Sequence, residues 1–287
     1  MIRWMYAFLA ILPLLLGAVR ADAGERFIVL QSTTSTQNSG LFDYILPKFE
    51  QATGIQVRVV AVGTGQALRN AARGDGDVVL VHSPADEARF VAEGHGILHC
   101  RVFYNDFVIV GPNLDPAGVG GLRDAAEALR RIAAAGREGR VVFLSRGDES
   151  GTHKKERALW RAAGLDPTAE SGSWYREAGA GMGATLNMAA GLGAYTLTDR
   201  GTWLSFANRR DLEVLVEGDP RLFNPYGVMV VNPKRHPHVR FAEAKAFRDW
   251  LISEAGQRAV ASYRVHGVQL FHPDVRCGDM PTPEARP

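Results

Sequence analysis

The chain of 287 residues has only two cysteines, almost no net charge and, past its N-terminal segment, no long apolar run. Each shortage excludes something. A formal charge of +2 gives neither the concentrated basic surface that nucleic acid requires nor a polybasic membrane patch. Any selectivity for an anion must therefore be local. The eight histidines are scattered, His236 and His238 flank Pro237, and neither H-E-x-x-H nor C-x-x-C occurs, so no metal site is expected. Ser150 and His153 lie three residues apart, but no G-x-S-x-G elbow surrounds a serine. A serine hydrolase is therefore the remote reading, and an enzyme is not expected. No short-period repeat or low-complexity tract appears.

The first residues read as a targeting segment. Arg3 supplies the positive start, residues 5–19 are almost uninterruptedly apolar, and Ala21-Asp22-Ala23 gives a small-x-small cleavage pattern. A run of about fifteen residues is short of the roughly twenty that a spanning helix needs. Residues 1–23 are thus expected to be a cleaved signal peptide, with a mature protein that is exported and not inserted in a membrane. No cysteine near the cleavage point offers a lipid anchor. In an oxidising compartment Cys100 and Cys277 can pair and staple the C-terminal region to the first half of the chain, or remain two separate thiols.

What is present is an alternation of strand and helix patterns, which predicts an α/β protein with mostly parallel sheets. Strands are expected at 27–31, 57–62 and 78–81, with helices at 39–53, after Gly63-Thr64-Gly65 and ending near Gly74, and after Pro84. A long strand at 102–110 follows, and the pattern then repeats. Helices are expected at 122–135, 151–163 and 184–190, and from Asp199; strands at 141–144, 194–197 and 214–216. A second long extended segment, 226–231, precedes two closing helices at 238–253 and 256–263. Two similar α/β units joined by two extended crossings predict two lobes with a ligand cleft at the carboxyl ends of the strands. The expected limits are 24–105 and 226–287 for one lobe and 106–225 for the other, with a frayed tail at 281–287.

The candidate chemistry sits at strand-to-helix turns. Ser32-Thr33-Thr34-Ser35-Thr36 places consecutive hydroxyls where backbone amides and the helix dipole favour negative charge, although one hydroxyl would suffice as a cap. Ser145-Arg146-Gly147-Asp148-Glu149-Ser150-Gly151-Thr152 opens another helix and adds a guanidinium fork suited to an oxyanion, with Asp148 or Glu149 able to hold it. Gly63-Thr64-Gly65 is a third such turn. A buried dianion needs roughly six or seven donors, since each charge-assisted hydrogen bond contributes only about 1.5–3 kcal/mol.

Through these motifs and several further segments, the sequence resembles the tungstate-binding proteins of ABC transporters, within the type II periplasmic binding protein superfamily. The matching segments are Thr33-Thr34-Ser35-Thr36, Val62-Gly63-Thr64-Gly65-Gln66-Ala67-Leu68, Gly76-Asp77-Val78 and Tyr104-Asn105-Asp106-Phe107-Val108-Ile109-Val110-Gly111-Pro112. Ser145-Arg146-Gly147-Asp148, Ser150-Gly151-Thr152-His153, Gly181-Met182-Gly183 and Leu197-Thr198-Asp199-Arg200-Gly201-Thr202 complete the set. The resemblance implies oxyanion contacts from Thr34, Ser35 and Thr64 in one lobe and Arg146, Ser150, Gly151 and Thr152 in the other. Thr33, Gly181 and Gly183 are further candidates. It also implies a periplasmic monomer that delivers tungstate to a permease and carries no cofactor. Molybdate has the same charge and shape as tungstate. Phosphate-binding relatives share the Arg…Ser-Gly-Thr arrangement but add an acid that accepts the proton of hydrogen phosphate. Here the loop after the third strand reads His82-Ser83-Pro84, with no acid before Asp86, while Asp77 and Asp148 remain possible sources.

Overall fold

The computed structural model describes residues 25–148 and 150–278, so the targeting segment, Glu149 and the tail at 281–287 lie outside the described residues. The first unit runs β1 (Phe27–Thr33), α1 (Thr34–Asn38), α2 (Leu41–Thr53), β2 (Gln56–Val62), α3 (Thr64–Ala72), β3 (Val78–Val81) and α4 (Pro84–Ala92). The long β4 (Gly96–Pro112) leads to α5 (Ala125–Arg137), β5 (Phe143–Ser145), α6 (Gly151–Ala162), β6 (Tyr175–Glu177), α7 (Met182–Leu192), β7 (Thr196–Asp199), α8 (Arg200–Ser205) and β8 (Leu212–Val216). The chain returns through β9 (Phe223–Val231) to α9 (Phe241–Ile252), α10 (Glu254–Ser262), the short hairpin β10 (Arg264–Val265) and β11 (Val268–Gln269), and β12 (His272–Cys277).

The sheets are mixed, which corrects the expectation of mostly parallel ones. β1 pairs in parallel with β2 and β3, as βαβ units require, and β5 pairs in parallel with β6. The crossing strands run the other way: β4 is antiparallel to β9, β7, β8 and β12, and β3 is antiparallel to β9. β4 belongs to both halves. Its residues from Gly96 to Asp106 pair with β9, and those from Phe107 onward pair with β7 and β8.

The buried apolar residues divide along that strand. Ile28, Leu30, Phe42, Phe49, Val102, Phe103, Tyr226 and Phe247 cluster around the first sheet. Phe107, Ile109, Leu129, Phe143, Trp160, Tyr175, Tyr195 and Leu222 cluster around the second. Each half carries a further, smaller cluster, around Val79, Val81 and Met229 in the first and Val108, Val110 and Met182 in the second, and β4 with the run from Leu222 into β9 joins the halves.

Two local differences from the sequence reading have clear causes. The helix expected at 39–53 is two helices, because Gly40 adopts φ 77° between them. A Cβ there would lie 2.5 Å from the Tyr263 hydroxyl, which donates to the Ser39 carbonyl, so this turn needs glycine. The region after α10 is not only tail: β12 adds to the edge of β4, with Cys277 opposite Cys100, and the two cysteines form a disulfide.

Candidate oxyanion site

Each candidate turn is built by its own sequence. Ser32 donates to the Leu80 carbonyl and anchors the end of β1. Thr33 caps α1, accepting from the Thr36 amide at 3.3 Å, and its hydroxyl also meets those of Thr36 and Ser35. One cap therefore consumes much of the hydroxyl run. Thr34 and Ser35 occupy the first two helical positions, Thr34 half-buried and Ser35 buried. Thr64 holds the first helical position of α3 after Gly63, which offers no side chain to cap the amides of that turn.

On the opposite side, Glu156 shapes the Arg146 loop. Buried in α6, it accepts from Ser145 Oγ at 2.8 Å, Tyr175 OH at 2.9 Å and Trp160 Nε1 at 3.2 Å. Burial pushes its carboxyl up to about 7, against these three donors. Ser145 Oγ in turn accepts the Gly147 amide, which sets the direction of Arg146. The Arg146 guanidinium is buried, donating through Nε to the Ala180 carbonyl just before α7 and through Nη2 to Asp148. That uses two of its five protons. Ser150 is the N-cap of α6: its hydroxyl donates to Asp148 and accepts the His153 amide at 3.1 Å.

The two sides meet. A Cβ placed on Gly151 would lie 3.1 Å from Thr64 Oγ1 and 3.1 Å from His82 Cε1, so the glycine lets the two sides approach closely and a side chain there would press on both. Thr64 is fully buried and Thr152 is 1% exposed, and the hydroxyl of each has no hydrogen-bond partner among the described residues. Buried hydroxyls are seldom left so. Lys154 of α6 reaches back to Asp86 of α4 at 2.6 Å, a second tie between the sides. The structure thus brings Ser35, Thr64 and Gly151 together around His82, with Thr152 next in α6 and Arg146 held in the adjoining loop. Ser150 and Thr33 stand beside them with their hydroxyls committed to caps. Gly181 is the N-cap of α7 and exposed, and Gly183 is half-buried in its first turn.

Sequence reasoning missed one group. His82, valued there only for not being an acid, is buried at the end of β3 and bonds Ser35 Oγ through Nε2 at 3.0 Å. Its Nδ1 faces Asn224 Oδ1 at 3.0 Å, and Asn224 Nδ2 donates to Asn105 Oδ1 at 2.6 Å. Tyr226 stacks on the ring with centroids 4.9 Å apart. A lone histidine after a strand carries no signal that partners more than a hundred positions away will complete it. Of the carboxylates left open by the sequence, Asp77 accepts the Val29 and Arg240 amides and serves the fold, whereas Asp148 is engaged with Arg146 and Ser150.

Chemically, the arrangement offers orphan amides of two helix N-termini, two unpartnered hydroxyls and a buried guanidinium, with donors in excess of acceptors. That composition fits a small, fully ionised oxyanion. A groove of about 560 Å³ lies between α3, α4 and α6, beside the site and not through it, and mixes the cations Arg89, Lys154 and Arg157 with the acids Asp86, Glu93 and Asp148.

Residues 18–255 match the family model described as the PBP superfamily domain. The tungstate-binding protein TupA of Peptoclostridium acidaminophilum is 46% identical over 262 residues, covering 90% of this chain and 89% of that protein. Among solved structures, the tungstate-binding protein TupA from Desulfovibrio alaskensis G20 is 44% identical with a TM-score of 0.75, covering 88% of this chain and all (100%) of that one. The tungstate ABC transporter structure from Geobacter sulfurreducens is 48% identical with a TM-score of 0.75, covering 83% and 99%.

Proposed function

The chain belongs to the PBP superfamily and, within it, to the family of the tungstate-binding TupA proteins, and from that membership and the cleft we propose that it is the tungstate-capturing component of an ABC transporter. It acts in the periplasm after removal of residues 1–23, as a monomer without a cofactor. The observation that carries the reading at the level of atoms is the pair of buried, unpartnered hydroxyls of Thr64, which lies against the Gly151 backbone, and Thr152, the next residue of α6. An oxyanion with four acceptor oxygens would satisfy both.

In this reading one lobe, at 24–105 and 226–287, docks the anion on Thr34, Ser35 and Thr64. The other, at 106–225, closes over it with Arg146, Gly151, Thr152 and the Ser150 turn, and the Gly181–Gly183 entry of α7 supports Arg146. β4 and the start of β9 absorb the closing motion. The ligated, closed shape is what a permease recognises, and a separate ATPase drives transport. Tungstate is preferred to hydrogen phosphate because a donor-rich site leaves a bound hydroxyl proton without an acceptor. Molybdate shares the charge and shape of tungstate and is the expected competitor.

The test is a thermal-shift titration of the mature protein with tungstate, molybdate, sulfate and phosphate at one pH, alongside Arg146→Ala. Tungstate should stabilise the wild type strongly and the variant hardly at all. Stabilisation by phosphate alone would reject the choice of ion, and none by any anion would reject the binding reading.

A further inference from the structure

His82 stands in the candidate site without being an obvious donor to an anion. In the rotamers present, Asn224 sets its state, with Asn105 Nδ2 on the far side left without a partner among the described residues. The Asn224 amide nitrogen is directed at Asn105 Oδ1 and, at 3.3 Å, at Tyr226 OH, so its oxygen faces His82. An amide oxygen only accepts, hence His82 carries its proton on Nδ1 and presents a lone pair at Nε2. Ser35 Oγ, 3.0 Å from that lone pair, must then donate its only proton to His82. A serine so engaged can accept from a ligand but cannot donate to one. For a fully ionised oxyanion the hydroxyl points the wrong way.

Charge sharpens the conflict. Arg146 is already matched by Asp148, and Lys154 by Asp86, so a dianion entering here brings charge that no free cation in these pairs offsets. Around the His82 ring stand Ser35 of α1, Tyr226 and Asn224 of β9, Phe107 of β4 and the Gly151 backbone of α6. Its charged neighbours are the cations Arg146 and Lys155. The nearby carboxylates are committed elsewhere, Glu87 to the Ser83 amide and His99, Asp199 to Thr202. Tyr226 is held neutral by burial.

We propose that His82 is a positioning residue that reverses the Ser35 hydroxyl, and that capture of a fully ionised oxyanion takes up one proton at His82 Nε2. This rests on the tungstate-binding reading and deepens it. The proton comes from the buffer, and no other bond changes. His82 then donates from Nδ1 to Asn224 and from Nε2 to Ser35 Oγ, and Ser35 turns its own proton to the anion. Burial and the two cations hold the unliganded ring down to about 4, so at neutral pH it is neutral and able to take the proton. A dianion at this point supplies the opposing charge that favours uptake.

Calorimetric titration of the wild-type protein with sodium tungstate in Tris and in HEPES, between pH 7 and 9, reads the proton count directly. Binding enthalpies should differ between buffers by an amount corresponding to uptake of one proton, and affinity should weaken by up to about tenfold per pH unit. In His82→Gln the buffer dependence should vanish and the affinity become flat with pH, while His153→Gln keeps the wild-type behaviour. Tungstate binding whose enthalpy is the same in both buffers overturns the inference and leaves the binding reading standing. So does uptake that persists in His82→Gln, or, should that variant fail to fold, uptake lost in His153→Gln. No tungstate binding by the wild type rejects the underlying reading instead.

Discussion

Replacing Thr64 by valine, which swaps a hydroxyl for a methyl of the same shape, should move two observables in opposite directions. In the protein alone Thr64 is fully buried and its Oγ1 has no partner among the described residues. An unsatisfied buried hydroxyl costs about 1–3 kcal/mol. Removing it should stabilise the ligand-free protein by up to about 1 kcal/mol, or roughly 2–4 °C in Tm for a chain of this size. With tungstate bound, the same hydroxyl makes a charge-assisted hydrogen bond of about 1.5–3 kcal/mol, so affinity should fall about 10- to 150-fold. Thr152→Val should behave alike, since its hydroxyl is in the same state. Differential scanning calorimetry without ligand and calorimetric titration with tungstate measure both quantities. A variant that melts lower without ligand yet binds normally would refute the reasoning, because the hydroxyl would then serve the fold and not the anion.

The Cys100–Cys277 bond closes a sequence separation of 177 residues, so reduction should cost about 2–5 kcal/mol in denaturant unfolding; unchanged stability would count against it. Lys154→Met removes the partly exposed tie to Asp86, and stopped-flow displacement should show tungstate released a few-fold faster at low salt, a difference of roughly 0.5–1 kcal/mol; equal rates would dismiss the tie. The pH dependence of stability should show two opposed contributions. His82 is held down to about 4, so from its unfolded value of 6.5 downward the unfolded chain binds the proton first, and stability is lost as pH falls, by about 3 kcal/mol in all. Glu156, pushed up to about 7, retains its proton when folded, so its contribution is present at low pH and lost as pH rises from about 4.5 to 7. Glu156→Gln removes only the second, and its stability should climb more steeply than the wild type between pH 4.5 and 7; parallel curves would show that burial there has no such effect.

The parts of this fold visible in the sequence are those that local pattern determines. The run of four buried residues at Val78–Val81 is bounded by Asp77 and His82 and reads as a central strand without help. Asp199 reads as a cap and is one, accepting the Thr202 amide. β12 could not be read this way. His272-Pro273-Asp274-Val275-Arg276-Cys277 is mostly exposed and carries a proline, and it becomes a strand only because β4 offers an edge. The candidate site divides similarly. Hydroxyls and glycines at strand-to-helix turns are legible, but which hydroxyl a cap has consumed is not: Ser150 and Thr152 look equivalent in sequence, and only the structure shows Ser150 engaged and Thr152 unpartnered. His82 depends on Asn224 across the fold, a pairing that no spacing encodes.

The cross-link at Cys100 and Cys277 also makes the molecule a covalent ring with a tail at each end. Everything from β5 to β8, including the Arg146 loop, lies inside that ring, whereas Ser35, Thr64 and His82 lie on the N-terminal arm outside it. A protease that cuts a surface loop of the ring, such as the one between α8 and β8, opens the circle without dividing the protein. The pieces stay joined through the disulfide and through the pairing of β4 with β9, and they separate only after reduction and unfolding. A cut in the N-terminal arm has no such covalent safeguard and would leave β1 to β3 held only by packing and by the pairing of β3 with β9.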